Sequence, residues 1–149
     1  MINNNETTNF WLTKEKDLGE KIIAKSFARL IGKARNGLIE KKGLLYCTAD
    51  NIYFEDFAKS TMYDFILPQN TNYEKFSMQF QISDISHMLK VSEPSAIACC
   101  QNKRTKAKPI STIQRFFTST AWEIQFNSDI SYFFELLNPN GFIEVINKA

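Results

Sequence analysis

The chain has 149 residues, a length that is typical of one domain and sufficient to bury a sizeable core. Hydrophobic residues make up 44% of it and charged residues 23%, a balance that excludes an intrinsically disordered chain. The net charge of +2 is too small for the field of the whole protein to drive nucleic-acid binding, so we expect no nucleic-acid partner.

The cysteines and the apolar runs indicate an intracellular setting. There are three cysteines, Cys47, Cys99 and Cys100, and an odd number with two adjacent does not suggest a disulfide framework. No run approaches the roughly 20 apolar residues of a membrane-spanning helix, and the polar N-terminus lacks a signal-peptide core. We expect reduced thiols and a cytoplasmic location, with peripheral attachment to membranes as an open alternative.

The N-terminal part of the chain divides into a tail and the start of a domain. Residues 1–18 are predicted to form a tail whose apolar spot, Phe10 to Leu12, packs on the domain. The domain is predicted to span residues 19–149. Residues 22–31 are apolar without clean alternation, so that both a strand and a helix stay open, and residues 32–37 are predicted to form a loop.

A hairpin is predicted next. Residues 43–48 and 52–57 are short strand-like runs, and Asp50 and Asn51 between them supply turn chemistry. Residues 62–67 are a further candidate strand, which ends at Pro68.

Two segments alternate cleanly between apolar and polar residues, which is typical of a strand with one face on a core. In residues 76–82 the apolar positions are Phe76, Met78, Phe80 and Ile82, and in residues 122–126 they are Trp122, Ile124 and Phe126. Between these strands, residues 92–111 contain two prolines and are predicted to be an inserted loop with a short apolar piece at 96–100. Residues 112–117 are predicted to be extended.

The C-terminal part completes the pattern. Residues 127–129 form a predicted turn and residues 130–137 the partner strand. After a break at residues 138–141, apolar residues at helical spacing predict a short closing helix over residues 142–146. About seven strands and one helix predict a mainly β fold, an antiparallel barrel or sandwich with a C-terminal helix.

Four segments resemble a known family. Residues 43–54 resemble the G-x-L-x-x-T-x-x-x-I-Y-F hairpin of GRAM domains and of the pleckstrin-homology (PH)-like domain that precedes BEACH domains. Residues 80–85 are similar to the x-I-x-x-I strand of that family, residues 120–126 to its T-A-L-E-I-F-F strand, and residues 132–134 to the aromatic strand that follows. The resemblance covers residues 20–147.

The resemblance implies a PH-like superfold and a non-catalytic role. Domains of this type act in membrane-traffic scaffolds, so we expect an adaptor that contacts a protein partner or an adjacent domain of a parent chain. The alternative that the family leaves open is binding of phosphoinositide or an anionic membrane. The family usually carries a doubly basic patch where this chain has the single Arg115 beside Phe116 and Phe117. Whether the chain is a stand-alone relative or a fragment of a longer protein stays open.

Two basic clusters, together with Arg115, are the candidate sites for an anionic ligand or a membrane. The first comprises Lys33, Arg35, Lys41 and Lys42, and the second comprises Lys103, Arg104, Lys106 and Lys108. Lys and Arg side chains neutralise phosphate groups, and Arg does so with two parallel hydrogen bonds. The simpler interpretation of each cluster is a solvated, charged loop.

No residue pattern indicates catalysis. His87 is the only histidine, and Asp84 and Ser86 beside it belong to one stretch of chain, whereas a catalytic triad draws its members from separate elements. The chain lacks a G-x-S-x-G motif and a C-x-x-C pair, so we expect neither a hydrolase site nor a zinc site, and no cofactor.

Overall fold

The computed structural model describes residues 4–57, 76–110 and 119–148. In chain order the elements are α1 (Asn4–Leu18), β1 (Ala24–Lys33), β2 (Gly37–Cys47), β3 (Asn51–Asp56), β4 (Ser77–Gln81), a 3₁₀ turn (Ile82–Asp84), β5 (Ile85–Ser92), α2 (Glu93–Cys100), β6 (Thr120–Phe126), β7 (Ser131–Leu136) and α3 (Asn140–Lys148). The prediction of a mainly β fold with seven antiparallel strands and a C-terminal helix is confirmed.

The seven strands form one curled, incompletely closed sheet. Their order is β4-β3-β2-β1-β7-β6-β5, so β4 and β5 lie at opposite edges. Only the three residues Ile82–Asp84 separate these two strands in the chain. Four peptide steps span at most about 14 Å, so the sheet must curl until its edges approach each other at that end. Among the described residues β4 and β5 do not pair, which leaves a half-open barrel.

The barrel interior holds the main core. Phe54 on β3 and Phe134 on β7 meet across it, with their ring centroids 5.7 Å apart. Helix α3 packs against β1 and β5 and buries Phe142 and Ile146 in the same core. The alternating apolar residues of the strands therefore face one another, as two-residue periodicity requires.

A second, smaller core lies on the outer surface of the sheet, under α2. It contains Ile31, Val91, Ala96, Cys99, Cys100, Ala121 and Phe133. The register of β1 shifts between Leu30 and Gly32 against both neighbouring strands, which is a β-bulge. The consecutive residues Leu30 and Ile31 are both fully buried, one in each core, because successive side chains of a strand point to opposite faces of the sheet.

Helix α2 corrects the prediction of an inserted loop over residues 92–111. Residues 93–100 are helical, and the loop begins after them. Ser92 caps the helix by accepting a hydrogen bond from the Ser95 amide, and Pro94 lies in the first turn, where its missing N–H is no loss. Pro94 therefore begins a helix at a place where we had expected it to interrupt regular structure.

Helix α1 lies where a tail was predicted. It contacts the outer face of β2 and β3 through Trp11, whose ring centroid is 5.6 Å from that of Tyr46, and through the ion pair of Lys14 with Glu55 at 2.8 Å. The Glu15 carboxylate accepts a hydrogen bond from the amide of Ile22. Among the described residues, no helix has both the length and the apolar character needed to cross a bilayer.

The remaining strand predictions have mixed outcomes. The hairpin is confirmed as β2 and β3, although β2 begins earlier, at Gly37. The open choice for residues 22–31 is resolved as β1, and the two alternating segments are strands β4 and β6. Strand β5 was not predicted. The candidate strands at 62–67 and 112–117 lie outside the described residues.

Candidate functional site

The loop between β1 and β2 is held in place from two sides. The amide of Asn36 donates to the Lys33 carbonyl across the turn, and Arg35 has a positive φ of 68°. The Ala34 amide donates to the carbonyl of Ser131 at the start of β7, and the Arg35 amide donates to the carbonyl of Cys99 near the end of α2. Both bonds use the backbone, so they fix the path of the loop without engaging the side chain of Arg35, which is exposed.

The outer face of β5, β6 and β7 lies beside this loop. Strand pairing places His87, Gln125 and Ser131 in one cross-strand row. It places Leu89, Glu123 and Phe133 in the next row. These two rows form the floor of a depression.

Two further segments complete the walls. Residues 105–109, which follow α2, lie on one side, and the β6–β7 turn at residues 128–130 lies at the end. The pairing of Pro109 with Val91 fixes the first wall to β5. We call this depression, with the β1–β2 loop as its remaining wall, the outer groove. Its cavity volume is about 890 Å³.

The outer groove is lined by charges of both signs. The cations are Lys33, Arg35 and Lys106, and the carboxylates are Glu123 and Asp129. The three cations come from two loops that are distant in sequence, and they leave one excess positive charge, with the imidazole of His87 counted as neutral. A groove of this composition suits a ligand with polar groups of both signs better than a purely anionic one.

Glu123 has an unusual position on the groove floor. Its side chain is half-buried, and among the described residues it accepts no hydrogen bond and forms no ion pair. Burial raises the pKa of the Glu123 carboxyl, while the nearby charges of His87 and Lys106 oppose that shift. A carboxylate with a perturbed pKa in a cleft is a recognised sign of a functional site.

The structure brings together three of the nine predicted anion-binding residues. Lys33, Arg35 and Lys106 line the outer groove. Lys103, Arg104 and Lys108 belong to the exposed loop around it but do not line it. Lys41 and Lys42 lie along β2, away from the groove, and Arg115 lies outside the described residues. Sequence reasoning missed Glu123 and Asp129, because a single acid on an alternating strand normally faces water.

The groups on and near the groove do not form a catalytic pair. The Ser86 hydroxyl donates to the Gln125 carbonyl at 3.0 Å, so its proton is not directed at His87, which lies 3.2 Å away. Burial raises the pKa of the Cys99 thiol, and Glu123 adds to that shift, so both effects favour the unreactive thiol form. Within the part of the chain that the structure describes, no group of three or more His, Cys, Asp or Glu side chains could hold a metal ion.

A separate apolar patch lies where β1, β7 and the end of β3 meet. Phe27 is 54% exposed, Phe57 44% and Leu137 68%. The rings of Phe27 and Phe57 are 5.9 Å apart, and the Leu137 amide donates to the Phe27 carbonyl. A small depression of about 400 Å³ adjoins these residues.

Comparisons with known proteins give a relationship in fold alone. No family model matches the chain, and no curated protein does. Among solved structures, the chain is similar to the C-terminal domain of an unknown protein from Leishmania infantum, with 12% sequence identity and a TM-score of 0.53. The alignment covers 95% of each chain, so the likeness extends over the whole fold rather than one motif.

Proposed function

We propose that this chain is a PH-like, non-catalytic adaptor module that contacts a protein partner or an adjacent domain of a parent chain. Seven antiparallel strands followed by a C-terminal helix support this proposal, because the resemblance to GRAM and BEACH-associated domains implies that order. The role would be scaffolding in membrane traffic, in the cytoplasm and in part at membrane surfaces.

The mixed charge of the outer groove is the observation that carries the proposal. Protein segments present carboxylates, ammonium groups and apolar side chains within a few residues of one another. The groove offers partners for all three, because Arg35 and Lys106 lie on its walls, while Glu123 and the exposed Leu89 lie on its floor. A polyphosphorylated headgroup would place its negative charge over the Glu123 carboxylate.

A photo-crosslinking residue at Asn36, on the exposed rim, tests the proposal in cells. The matched control carries the same residue at Asp50, which is exposed in the β2–β3 turn and does not line the groove. We expect protein adducts from position 36 that disappear when Lys33 and Arg35 are changed to Glu. Equal adducts from both positions, or none from position 36, would contradict the proposal.

A second candidate function is binding of a phosphoinositide or an anionic membrane. The observation that favours it is the convergence of Lys33, Arg35 and Lys106 on one concave surface. Cations near an anionic membrane contribute about 1 kcal/mol each, so three of them are a meaningful but salt-sensitive attraction.

Sedimentation with phosphatidylcholine vesicles, with and without a phosphoinositide, separates the two candidates. The adaptor proposal predicts that the domain stays in the supernatant with both vesicles at physiological salt. Co-sedimentation that requires the phosphoinositide, and is abolished by Lys33→Glu with Lys106→Glu, would favour the second candidate. Lys42→Glu, on β2 outside the groove, is the matched control for overall charge.

A further inference from the structure

The environment of Glu123 provides evidence about the ligand of the outer groove. Its neighbours on the adjoining strands are Leu89 on β5 and Phe133 on β7, and Cys99 of α2 lies close enough to sense its charge. Three of its flanks are therefore apolar or weakly polar. Lys106 and the imidazole of His87 lie near it and influence it through space, but neither forms a bond with it.

A half-buried carboxylate without a bonded partner is costly to the free protein. Removing a charged group from water without a compensating hydrogen bond is unfavourable, and a charge-assisted hydrogen bond from a ligand offsets that cost. An ammonium or guanidinium group is the donor that does so best. Among the described residues no such donor bonds to Glu123, so on the open groove floor a cationic group of a bound molecule would take the place of water.

The walls of the groove carry positive groups, which would pair with a negatively charged side chain of a ligand. Among the described residues Arg35 forms no ion pair, whereas the Lys33 ammonium lies 5.7 Å from the centroid of the Tyr132 ring, on the face of β7 opposite Phe133. Asp129, also on the rim, reaches the groove from the β6–β7 turn. Rim groups of both signs and a negative floor group thus lie within one cavity of about 890 Å³, a size suited to a short segment of chain.

We propose that the outer groove selects a segment of a protein partner that carries a Lys or Arg side chain, which pairs with Glu123, and an Asp or Glu side chain, which pairs with Arg35 or Lys106. This inference rests on the proposed adaptor function and specifies the chemistry of its partner. Glu123 is then the specificity-determining residue, because it attracts the basic side chain and repels polyanions.

A peptide selection tests the inference. The probe is a mixture of acetylated, amidated nine-residue peptides, randomised over all residues except Cys, passed over the immobilised full chain and identified by mass spectrometry. We expect the retained peptides to be enriched about tenfold in sequences that combine a basic and an acidic residue, since one charge-assisted bond contributes roughly that factor.

Two variants test separately the preference for a basic residue and the preference for an acidic residue in the peptide. Glu123→Gln keeps the shape of the side chain, and we expect it to abolish the preference for Lys or Arg while the preference for Asp or Glu remains. The double change Arg35→Gln with Lys106→Gln should do the reverse. Lys42→Gln, outside the groove, should leave both preferences unchanged.

The outcomes separate the inference from the function on which it rests. Peptides retained with the same composition by the wild type and by Glu123→Gln would overturn the role of Glu123 and leave peptide binding in place. A chain that retains no peptide above background would count against the adaptor function and the inference together. Enrichment of purely acidic peptides that grows in Glu123→Gln would show an anion site, and would also overturn the inference.

Discussion

Arg29 is the most heavily bonded charged residue in the described part of the chain. Its guanidinium contacts Glu40 and Glu93 at 2.8 Å and Glu135 at 3.0 Å, which ties β1 to β2, α2 and β7. These hydrogen bonds, the one to Glu40 first, raise the pKa of Arg29 further above its ordinary value. Glu40 has a positive φ of 52° and lies next to the β-bulge between β1 and β2.

Replacing Arg29 by Met should destabilise the domain by about 1–3 kcal/mol, because three carboxylates then repel one another around a partly buried position. Urea unfolding at low and at high salt measures the loss, which should shrink as salt screens the repulsion. Lys42→Met, at an exposed site on the neighbouring strand, is the control. An unchanged unfolding midpoint for Arg29→Met would show that the network is only a surface feature.

Glu123 predicts a pH dependence of stability whose sign follows from its raised pKa. A carboxyl with a folded-state pKa above its unfolded value favours folding while it is protonated, and that contribution is lost as pH rises through the folded pKa. Glu123→Gln removes the ionisation, so we expect the variant to unfold at a higher temperature than the wild type at pH 7. The two melting temperatures should converge toward pH 4. A constant difference between them at all pH values would contradict this prediction.

Sequence reasoning found the cations of the groove but not its carboxylates. Lys33 and Arg35 were predictable because they lie in a loop between strands, and Lys106 because it belongs to a conspicuous basic run. Glu123 alternates with Trp122 and Ile124, a pattern that predicts a solvent-facing side chain. It is half-buried because α2 and the loop after it cover that face, and a single sequence does not show which face a helix will cover.

At the level of elements, α2 was the most consequential error. A Ser cap, a Pro in the first turn and apolar residues at 96–100 were visible, and together they are a helix-start signal. The helix is short and apolar around most of its surface, because it packs between the sheet and the loop that follows it. It therefore lacks the one-sided pattern by which surface helices are recognised.

Gly32 of β1 is packed closely against both β2 and α2. A Cβ there would lie 2.5 Å from the Gly37 carbonyl oxygen and 2.8 Å from the Cys100 sulfur. We expect Gly32→Ala to cost about 1–3 kcal/mol in urea unfolding, as overpacking generally does. Adding Cys100→Ala should recover part of that loss, because the sulfur contact is then relieved. Full additivity of the two changes would show that the Cys100 contact is not the cause.

Strand β5 shows why alternation of apolar and polar residues did not identify every strand. Its outward residues His87 and Leu89 lie on the groove floor, and its inward residues Ile85 and Met88 face the barrel core. With the register against β6 shifted near Ile85, neither face is uniformly apolar or polar. In β4, by contrast, the outward residues Ser77, Gln79 and Gln81 are exposed, and periodicity identified the strand.

At the scale of the whole molecule, the half-open barrel depends on its closing helix. The fold class followed from strand count and a final helical segment, but the strand order and the second core required the structure. α3 fills the barrel with Phe142, which is fully buried, and Gly141 lies so close to β1 that a Cβ would be 2.8 Å from that of Ala24. The helix is thus part of the core and not an appendage.

Phe142→Ala should destabilise the domain by about 3–5 kcal/mol, the usual range for deleting a buried aromatic side chain. Loss of a cooperative thermal transition, or a large drop in its midpoint by circular dichroism, would be the expected result. Phe10→Ala, at an exposed site on α1, is the control. A Phe142 variant as stable as the wild type would mean that α3 does not close the barrel.

The central claim is that the outer groove, and not the apolar patch of Phe27, Phe57 and Leu137, is the ligand-binding surface of this barrel. The most direct measurement is an NMR titration of the isotopically labelled chain with the pool of peptides that the wild type retains. We predict amide shift changes at Arg35, Glu123 and Asp129, and none at Phe27 or Leu137. Changes confined to Phe27 and Leu137 would contradict the account.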